Sequence, residues 1–314
     1  MLFRLGNLFL CISLLIVQDA YGQHYNDYSN ATDIFFRNYT LINPAVGGSY
    51  APVELSMDYH GLNGVFSQVR NFYGSANFRL KEKQNRRNSQ NKQVLGTLWY
   101  GEKEGEFFGK TRGYLQYSYH IGLQENLFLS AGISAGLVSY SYKSSTASAG
   151  GSTNGLTGNL GLWLYSDKMH LGISSQDVPN TTLKPIDAPI LLSRFYTLTF
   201  DRSFLLSHTL RLTPAAEFIY YGKKYNTFSA GAWLVIQNTV SAGVLYKWHQ
   251  GYVCSVGFEK IRLFQGKTNF FFTYKVPSVG ANQLPVSAIE ITMNYFLTKL
   301  KAGEPPQLIE EEQE

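Results

Sequence analysis

The 314-residue chain carries a formal net charge of +5, and only 16% of its residues are charged, while aromatic residues reach 15% with 22 Tyr and 21 Phe. A charge this small and dispersed does not indicate nucleic-acid binding. A mean hydropathy of −0.15 argues against a bundle of membrane-spanning helices. Few charges, abundant Gly and abundant Tyr are typical of a chain with a lipid-facing belt and aromatic girdles.

The first residues have the pattern of a secretory signal peptide, which we assign to residues 1–22. Arg4 supplies the positive start, and residues 5–17 form an apolar core too short to span a bilayer as a helix. Small residues end this stretch and predict cleavage before Gln23. Cleavage would remove Cys11 and leave Cys254 as a lone cysteine, so we expect no intramolecular disulfide and a lipid-facing or strand-facing Cys254.

Residues 23–50 do not alternate between apolar and polar side chains. The segment is polar and aromatic, and it contains the turn signals Asn43-Pro44 and Gly47-Gly48. We therefore predict an ordered N-terminal segment that lies in or under the rest of the fold, with a short helix near residues 33–39.

The body of the chain, residues 51–300, is dominated by strict alternation. In residues 127–137 the odd positions are Leu, Ala or Ile, and the even positions are Phe, Ser or Gly. Successive strand side chains point to opposite faces, so this segment predicts a strand with one oily and one polar side. About fourteen such segments, each long enough to cross a bilayer as a tilted strand, predict an antiparallel transmembrane β-barrel. They are residues 53–60, 70–80, 93–101, 112–121, 127–142, 156–165, 168–175, 194–201, 209–220, 227–236, 239–248, 251–258, 267–276 and 287–297.

The connectors between these segments agree with a bacterial barrel that has short turns at one end and long loops at the other. The connectors at residues 143–155, 176–193 and 277–286 are long and rich in Ser, Gly, Asn or Pro. The connectors at the other end of the strands, such as 166–167 and 237–238, are short. With both termini in the periplasm, the long connectors lie outside the cell. The long connector 81–92 and the tight connector 249–250 do not fit this rule. Residues 301–314 predict an acidic, disordered periplasmic tail.

Unpaired backbone polar groups cost several kcal/mol each in hydrocarbon, so a membrane-spanning sheet must close on itself. A ring of about fourteen strands is too wide for its own side chains to fill, and its interior must hold water, a plug or a partner. Charged residues that fall on the predicted inner face support such an interior, although they could simply solvate the wall. They are Glu54, Asp58, Arg211, Glu217, Lys247 and Glu290.

We find no nucleophile elbow, phosphate loop or cysteine metal motif, and the six His residues show no ligand spacing. Ser118 and His120 share an inner face, which is weak support for a hydrolase. The sequence thus predicts no enzyme, cofactor or metal site. The one basic cluster is a solvated connector or, alternatively, a docking surface for an acidic periplasmic partner. Its cations are Lys81, Lys83, Arg86 and Arg87.

The start of the predicted mature chain carries a more specific signal. A Gln/Tyr-rich stretch at residues 23–29 precedes Tyr39-Thr40-Leu41-Ile42-Asn43-Pro44-Ala45-Val46-Gly47-Gly48-Ser49. This pattern resembles the PorP/SprF family of type IX secretion membrane proteins from Bacteroidetes. The following block, residues 55–64, is similar to the family but has Asp58-Tyr59-His60 where members have an Arg/Gln/Trp-containing strand.

The resemblance implies an integral outer-membrane component of the type IX secretion system that is not an enzyme. Its expected partners are other components of that system, outer-membrane lipid, and a secreted protein with a C-terminal sorting domain, such as a gliding or adhesion protein. The family motif comprises Asn43, Pro44, Ala45, Gly48 and Ser49, and we interpret it as structural. Pro44 restricts Asn43 to extended conformations, and the glycines permit tight turns.

Two other functions remain open from the residues alone. A passive channel of the porin or fatty-acid-transporter type would have the same strands. A soluble periplasmic β-protein would also alternate, provided that its apolar faces pack against each other.

Overall fold

The computed structural model describes residues 32–84, 90–104, 108–124, 126–144, 149–185, 189–222, 226–277 and 286–297. The predicted signal peptide, residues 23–31, Arg86, Arg87 and the predicted tail lie outside these described residues. Within the described ranges, no helix is both long and apolar enough to span a bilayer.

Fourteen strands of the described chain form one closed antiparallel barrel, as the alternation predicted. The first and last strands pair from Val53 opposite Leu297 to Leu62 opposite Ala288. We call the edge at Val53 and Leu297 the terminal rim, and the edge at Leu62 and Ala288 the loop rim. The strands are β1 (Val53–Leu62), β2 (Arg70–Gln84), β3 (Gln90–Glu104), β4 (Phe108–Gln124), β5 (Leu127–Tyr142), β6 (Gly151–Ser166), β7 (Met169–Gln176), β10 (Phe195–Arg202), β12 (Leu210–Tyr220), β13 (Asn226–Ile236), β14 (Val240–Lys247), β15 (Gly251–Leu263), β16 (Gly266–Pro277) and β17 (Ala288–Leu297).

Three further short strands lie outside the ring of fourteen. The strand β11 (Phe204–Ser207) follows β10 directly and pairs with β12 at the terminal rim. The strands β8 (Thr182–Leu183) and β9 (Ile190–Leu191) pair with each other inside the connector between β7 and β10. This connector, residues 177–194, is called the capping loop below.

The two faces of the wall follow the predicted alternation. In β5, Ser130 and Ser134 are buried against the interior, whereas Leu129, Ile133 and Leu137 are exposed on the outside. Cys254 is likewise exposed on the outer face of β15. Large apolar and aromatic side chains are exposed on the outer face of the ring's strands, for example Met57, Leu115 and Leu156, which suits contact with lipid rather than with a second sheet.

Several strands are longer than the apolar pattern indicated. The predicted connector at residues 81–92 is wrong, because β2 and β3 remain paired down to Gln84 opposite Gln90. Likewise β4 continues to Gln124 and β6 begins at Gly151. Ladder hydrogen bonds do not require apolar side chains, so strands continue beyond the membrane belt where both faces are polar. The prediction failed at these ends because it followed side-chain hydrophobicity alone.

The predicted N-terminal segment lies inside the barrel. Residues 32–50, which we call the plug, contain a 3₁₀ turn at Phe35–Arg37 and a single α-helical turn, α1 (Tyr39–Ile42). Its apolar residues form the main hydrophobic cluster together with inward-facing Trp163, Trp233 and Phe271 of the wall. The core of this protein is therefore the interface between the plug and the inner wall.

We predict that Ile133→Arg, at the middle of the apolar outer face of β5, lowers the free energy of unfolding by about 2–4 kcal/mol, because it places a cation near the bilayer midplane. Unfolding by urea of protein reconstituted in lipid vesicles measures this change. Ser141→Arg on the same face, beyond the apolar belt, is the matched control and should have little effect. Equal destabilisation by both variants would contradict the lipid-facing assignment.

Candidate functional site: the lumen and its plug

A cluster of charges near the loop rim holds the first described residues of the plug. The Asp33 carboxylate lies 3.2 Å from Lys247 Nζ and 3.3 Å from Lys275 Nζ. His60 Nε2 is 3.0 Å from Oδ2, the other carboxylate oxygen of Asp33. Glu290 accepts hydrogen bonds from the Thr32 hydroxyl, at 2.7 Å, and from the Asp33 backbone N–H. The plug is thus fixed to four strands: β1, β14, β16 and β17.

The environment of Asp33 favours its charged form. Burial alone would raise the pKa of this carboxyl, but Lys275, Lys247 and His60 together hold the pKa well below its usual value. The resulting stabilisation is complete above the unfolded-state pKa of about 3.9. It decreases only as the pH falls towards the lower pKa of the folded state, so this carboxylate is charged at neutral pH.

Three residue types that can ligate metals meet in this cluster. Ligand atoms of Asp33, His60 and Glu290 lie within 4.8 Å of one another. They are far apart in the sequence, so linear spacing could not reveal them. Two lysine ammonium groups already contact the Asp33 carboxylate, and this arrangement favours a salt-bridge network over a metal centre.

Deeper in the lumen, Arg37 of the plug binds Glu259 and two aromatic rings. Its Nη2 lies 2.7 Å from Glu259 Oε1. The guanidinium carbon is 4.1 Å from the ring centre of Trp233 and 4.5 Å from that of Phe271. Trp233 Nε1 donates to the same Glu259 oxygen at 2.8 Å. A planar cation that is both paired and stacked has little freedom, so this contact orients the first turn of the plug.

The helical turn α1 is fixed to another part of the wall. Tyr39 Oη donates to Asp201, whose carboxylate is also 2.9 Å from His170 Nδ1. The Tyr39 ring lies 4.7 Å from the ring of Trp163, which stacks on His170. The carbonyl of Ile42 accepts a hydrogen bond from Ser174 Oγ at 2.6 Å. These contacts attach the plug to β6, β7 and β10.

The family motif turns the chain across the lumen. Asn43 is extended, with φ −146° and ψ 111°, as expected for a residue before proline. Its side-chain oxygen accepts from the Ala45 N–H at 2.9 Å, and its amide nitrogen donates to the Leu162 carbonyl at 3.0 Å. Gly48 has φ +80°, a conformation that glycine adopts without strain. Asn43 therefore shapes its own turn and also attaches it to β6.

Glu54, at the start of β1, binds the backbone that follows the motif. Its carboxylate accepts backbone N–H groups of Gly48 at 2.9 Å, Tyr50 at 2.7 Å and Ala51 at 2.9 Å. Three donors on one carboxylate fix the passage from the plug into the first strand. The Ser49 hydroxyl donates to the Val46 carbonyl at 2.5 Å within the same turn.

Ser118 and His120, the weak candidates for a hydrolase, hold the plug instead. Ser118 Oγ donates to the Gly47 carbonyl at 3.0 Å, and His120 Nε2 lies 2.9 Å from the same oxygen. The two side chains are 3.1 Å apart, and His120 Nδ1 is 3.0 Å from Tyr165 Oη. Their polar groups are therefore directed at the plug backbone.

Two glycines of the inner wall allow the motif to approach the strands closely. A Cβ on Gly132 would lie 2.4 Å from the Ala45 nitrogen, and one on Gly161 would lie 2.0 Å from Asn43 Oδ1. The inner face of β5, which the sequence predicted to carry small and polar residues, is thus the surface against which the motif packs. Sequence reasoning assigned this face to the lumen but had no signal for what covers it.

The predicted inner-face charges do reach the lumen. The structure buries Glu54, Asp58, Glu217, Lys247 and Glu290, while Arg211 is partly exposed, 3.4 Å from Glu259. Several bind the plug rather than only solvating the wall: Asp58, for example, accepts from Asn38 Nδ2 at 2.9 Å. Of the basic cluster, Lys81 and Lys83 belong to the terminal-rim end of β2.

A closed fourteen-strand ring with an apolar exterior and a peptide plug defines an integral outer-membrane β-barrel. The chain belongs to the family described as type IX secretion system membrane protein PorP/SprF, whose model matches residues 24–295. This match confirms the resemblance drawn from the N-terminal motif. Among curated proteins, none matches the sequence significantly.

Similar solved structures share the fold at low sequence identity. The toluene transporter TbuX of Ralstonia pickettii has a TM-score of 0.52 at 11% identity, over 82% of this chain and 92% of that one. The toluene transporter TodX of Pseudomonas putida has a TM-score of 0.52 at 9% identity, over 89% and 99%. The monoaromatic hydrocarbon channel CymD has a TM-score of 0.51 at 13% identity, over 89% and 94%. At these identities the likeness shows the barrel fold alone.

We predict that Asp33→Asn lowers the free energy of unfolding by about 3–5 kcal/mol, because it removes one partner of a buried ion-pair cluster and leaves two lysines without their carboxylate. Urea unfolding in vesicles at neutral pH measures the loss. Asp167→Asn changes an exposed carboxylate in the turn between β6 and β7 and should leave the midpoint unchanged. An unaltered midpoint for Asp33→Asn would show that the cluster does not stabilise the barrel.

We also predict that Gly132→Val displaces the motif from β5, since its side chain would overlap the backbone between Pro44 and Ala45. The measurement is limited proteolysis of the folded barrel in detergent, followed by mass spectrometry of fragments cut within residues 32–50. Gly74→Val is the matched control, because a Cβ there meets nothing within 4 Å. Equal protection of the plug in both variants would refute the close packing.

Proposed function

We propose that this outer-membrane component supports export of a secreted protein with a C-terminal sorting domain and anchors that protein at the cell surface. Family membership supports the type IX assignment. A gliding or adhesion protein is the kind of client that we expect.

The observation that carries the proposal is the filled lumen. Plug residues bind the wall from near the loop rim, at Asp33, to the terminal rim, at Glu54. Ion pairs and hydrogen bonds attach it to strands around the ring. A lumen occupied by a bound plug favours a rigid surface for a protein partner over an open path for solutes.

The loop rim provides the surfaces that such a client could bind. The hairpin of β5 and β6 extends beyond the apolar belt, where its outward residues are Ser139, Ser141, Ser152 and Asn154. The capping loop folds onto the inner wall: Leu183 and Leu192 pack with Val138 and Tyr140. Arg112 Nη1 lies 3.2 Å from Asp177 Oδ1 at its base. A partner would meet ordered polar and aromatic elements there.

We assign the loop rim to the outside of the cell and the terminal rim to the periplasm, because most long connectors lie at the loop rim. The C-terminal tail would then be periplasmic. Thr32, in contrast, lies beside Lys247 and Glu290 near the loop rim. A periplasmic N terminus, our expectation from the sequence, would require the preceding residues to cross the lumen again.

The basic cluster supports a second contact in this proposal. Lys81 and Lys83 are at the end of the β2–β3 hairpin that projects past the terminal rim. With Arg86 and Arg87, they would meet an acidic periplasmic component of the secretion system.

Purification of the intact protein in mild detergent, with mass spectrometry of what accompanies it, tests the proposal. We expect a large protein bearing a C-terminal sorting domain, and we expect a deletion strain to lose that protein from its surface while nutrient uptake is unchanged. Recovery of lipid alone, together with a normal surface proteome in the deletion strain, would overturn the anchoring role.

The alternative is a passive channel, which is favoured by the shared fold with proteins described as toluene transporters and a hydrocarbon channel. Planar-bilayer recordings of the purified protein distinguish the two functions. We expect no steady solute-dependent current for the native chain. A steady current with the plug contacts intact would support the channel instead.

A further inference from the structure

The capping loop forms one side of an open cavity of about 360 Å³ near the loop rim, where β10 and β12 meet. Tyr196 and Tyr220 contribute exposed outward-facing rings, with centroids 6.4 Å apart. The remaining lining includes Leu191, Arg194, Tyr221 and Asn180. The volume falls in the range of small-ligand sites, and two of the lining rings, Tyr196 and Tyr220, are exposed on the outer face of the wall.

The cavity lies at the height where the bilayer changes from hydrocarbon to headgroups. Tyr196 pairs with Tyr220, and the next outward pair towards the terminal rim is Leu198 opposite Phe218, both exposed and apolar. Tyr rings prefer the interface because one end is apolar and the other polar. A ligand in this cavity would therefore lie among headgroups, with Leu191 available for an acyl chain.

Arg194 supplies a fixed positive charge in this cavity. Its backbone N–H donates to Asn180 Oδ1 at 2.7 Å, and its guanidinium donates to the Val178 carbonyl. The side chain nevertheless remains exposed. Among the described residues that line the cavity, none is acidic. A guanidinium that is anchored on one side and exposed on the other is suited to a phosphate, which it can bind through two parallel hydrogen bonds.

We propose that this cavity binds the phosphorylated sugar headgroup of an outer-leaflet glycolipid, with Arg194 on the phosphate and the Tyr196 and Tyr220 side chains along the sugar. The proposal rests on the assignment of the loop rim to the outer surface, and it does not depend on the identity of a client. A bound lipid would also hold the capping loop against the rim, because Arg194 and Asn180 belong to that loop.

Native mass spectrometry of the full barrel in mild detergent, titrated with bisphosphorylated lipid A, tests this site. Loss of a charge-assisted hydrogen-bond pair predicts about tenfold weaker binding for Arg194→Gln, with partial recovery in Arg194→Lys. Arg202→Gln is the matched control, since it removes an exposed arginine at the opposite end of the same strand. The control should bind lipid A like the native chain, and dephosphorylated lipid A should bind the native chain about tenfold more weakly.

Three results would overturn the proposal. One is unchanged lipid A binding by Arg194→Gln, and another is an equal loss in Arg202→Gln, which would indicate general charge attraction. The third is equally tight, Arg194-dependent binding of phosphatidylglycerol, which would assign the cavity to phospholipid rather than to glycolipid. None of these outcomes bears on the secretion role, which the co-purification tests separately.

Discussion

Closure of a single sheet is the constraint on which the rest of this structure depends. In hydrocarbon each backbone N–H and C=O must have a partner, and a ring of fourteen strands meets that need only when its first and last strands pair. A ring of that circumference leaves an interior that wall side chains cannot fill. The plug occupies that space. Its contacts explain why the inner wall carries small residues in one place and charged residues in another.

The plug is held by buried polar contacts in addition to its apolar cluster, which distinguishes it from an ordinary hydrophobic core. Asp33, Arg37 and Tyr39 each meet a partner of matching chemistry on a different part of the wall. Buried ion pairs add little stability compared with apolar replacements of the same volume, but they penalise misplacement strongly. Such contacts therefore favour one placement of the segment, because a shifted plug would leave buried charges without partners.

The alternation predicted the ring, its strand number and the direction of most side chains, because a period of two is read directly from neighbouring residues. It assigned Glu54 and Glu290 to the interior for the same reason. It could not show that Glu290 meets Thr32 and Asp33, since more than 250 residues separate these partners and only closure brings them together. The polar strand ends, such as Lys81 in β2, were missed because pairing continues there without an apolar face.

The motif Asn43-Pro44-Ala45 also combines features that neighbouring residues predict with contacts that depend on distant parts of the chain. Proline and glycine predicted a turn, and the structure places a turn there. The hydrogen bond from Asn43 to the Leu162 carbonyl and the space left by Gly132 and Gly161 depend on strands more than 80 residues away. The local motif therefore predicted its own turn. Where it packs depends on two wall glycines, Gly132 and Gly161, which belong to no recognisable sequence pattern.

The strands that receive the plug have a consequence for biogenesis. His60 and Asp58 belong to β1, Glu290 and Thr292 belong to β17, and all four bind plug residues or one another across the junction of these strands. The pairing of β1 with β17 joins the two ends of the described barrel, so closure of the sheet brings together the plug partners on these two strands. A chain that ends before β17 would lack both the closing strand and the plug contacts of Glu290, so we expect its sheet to stay open and its plug to lose part of its anchorage.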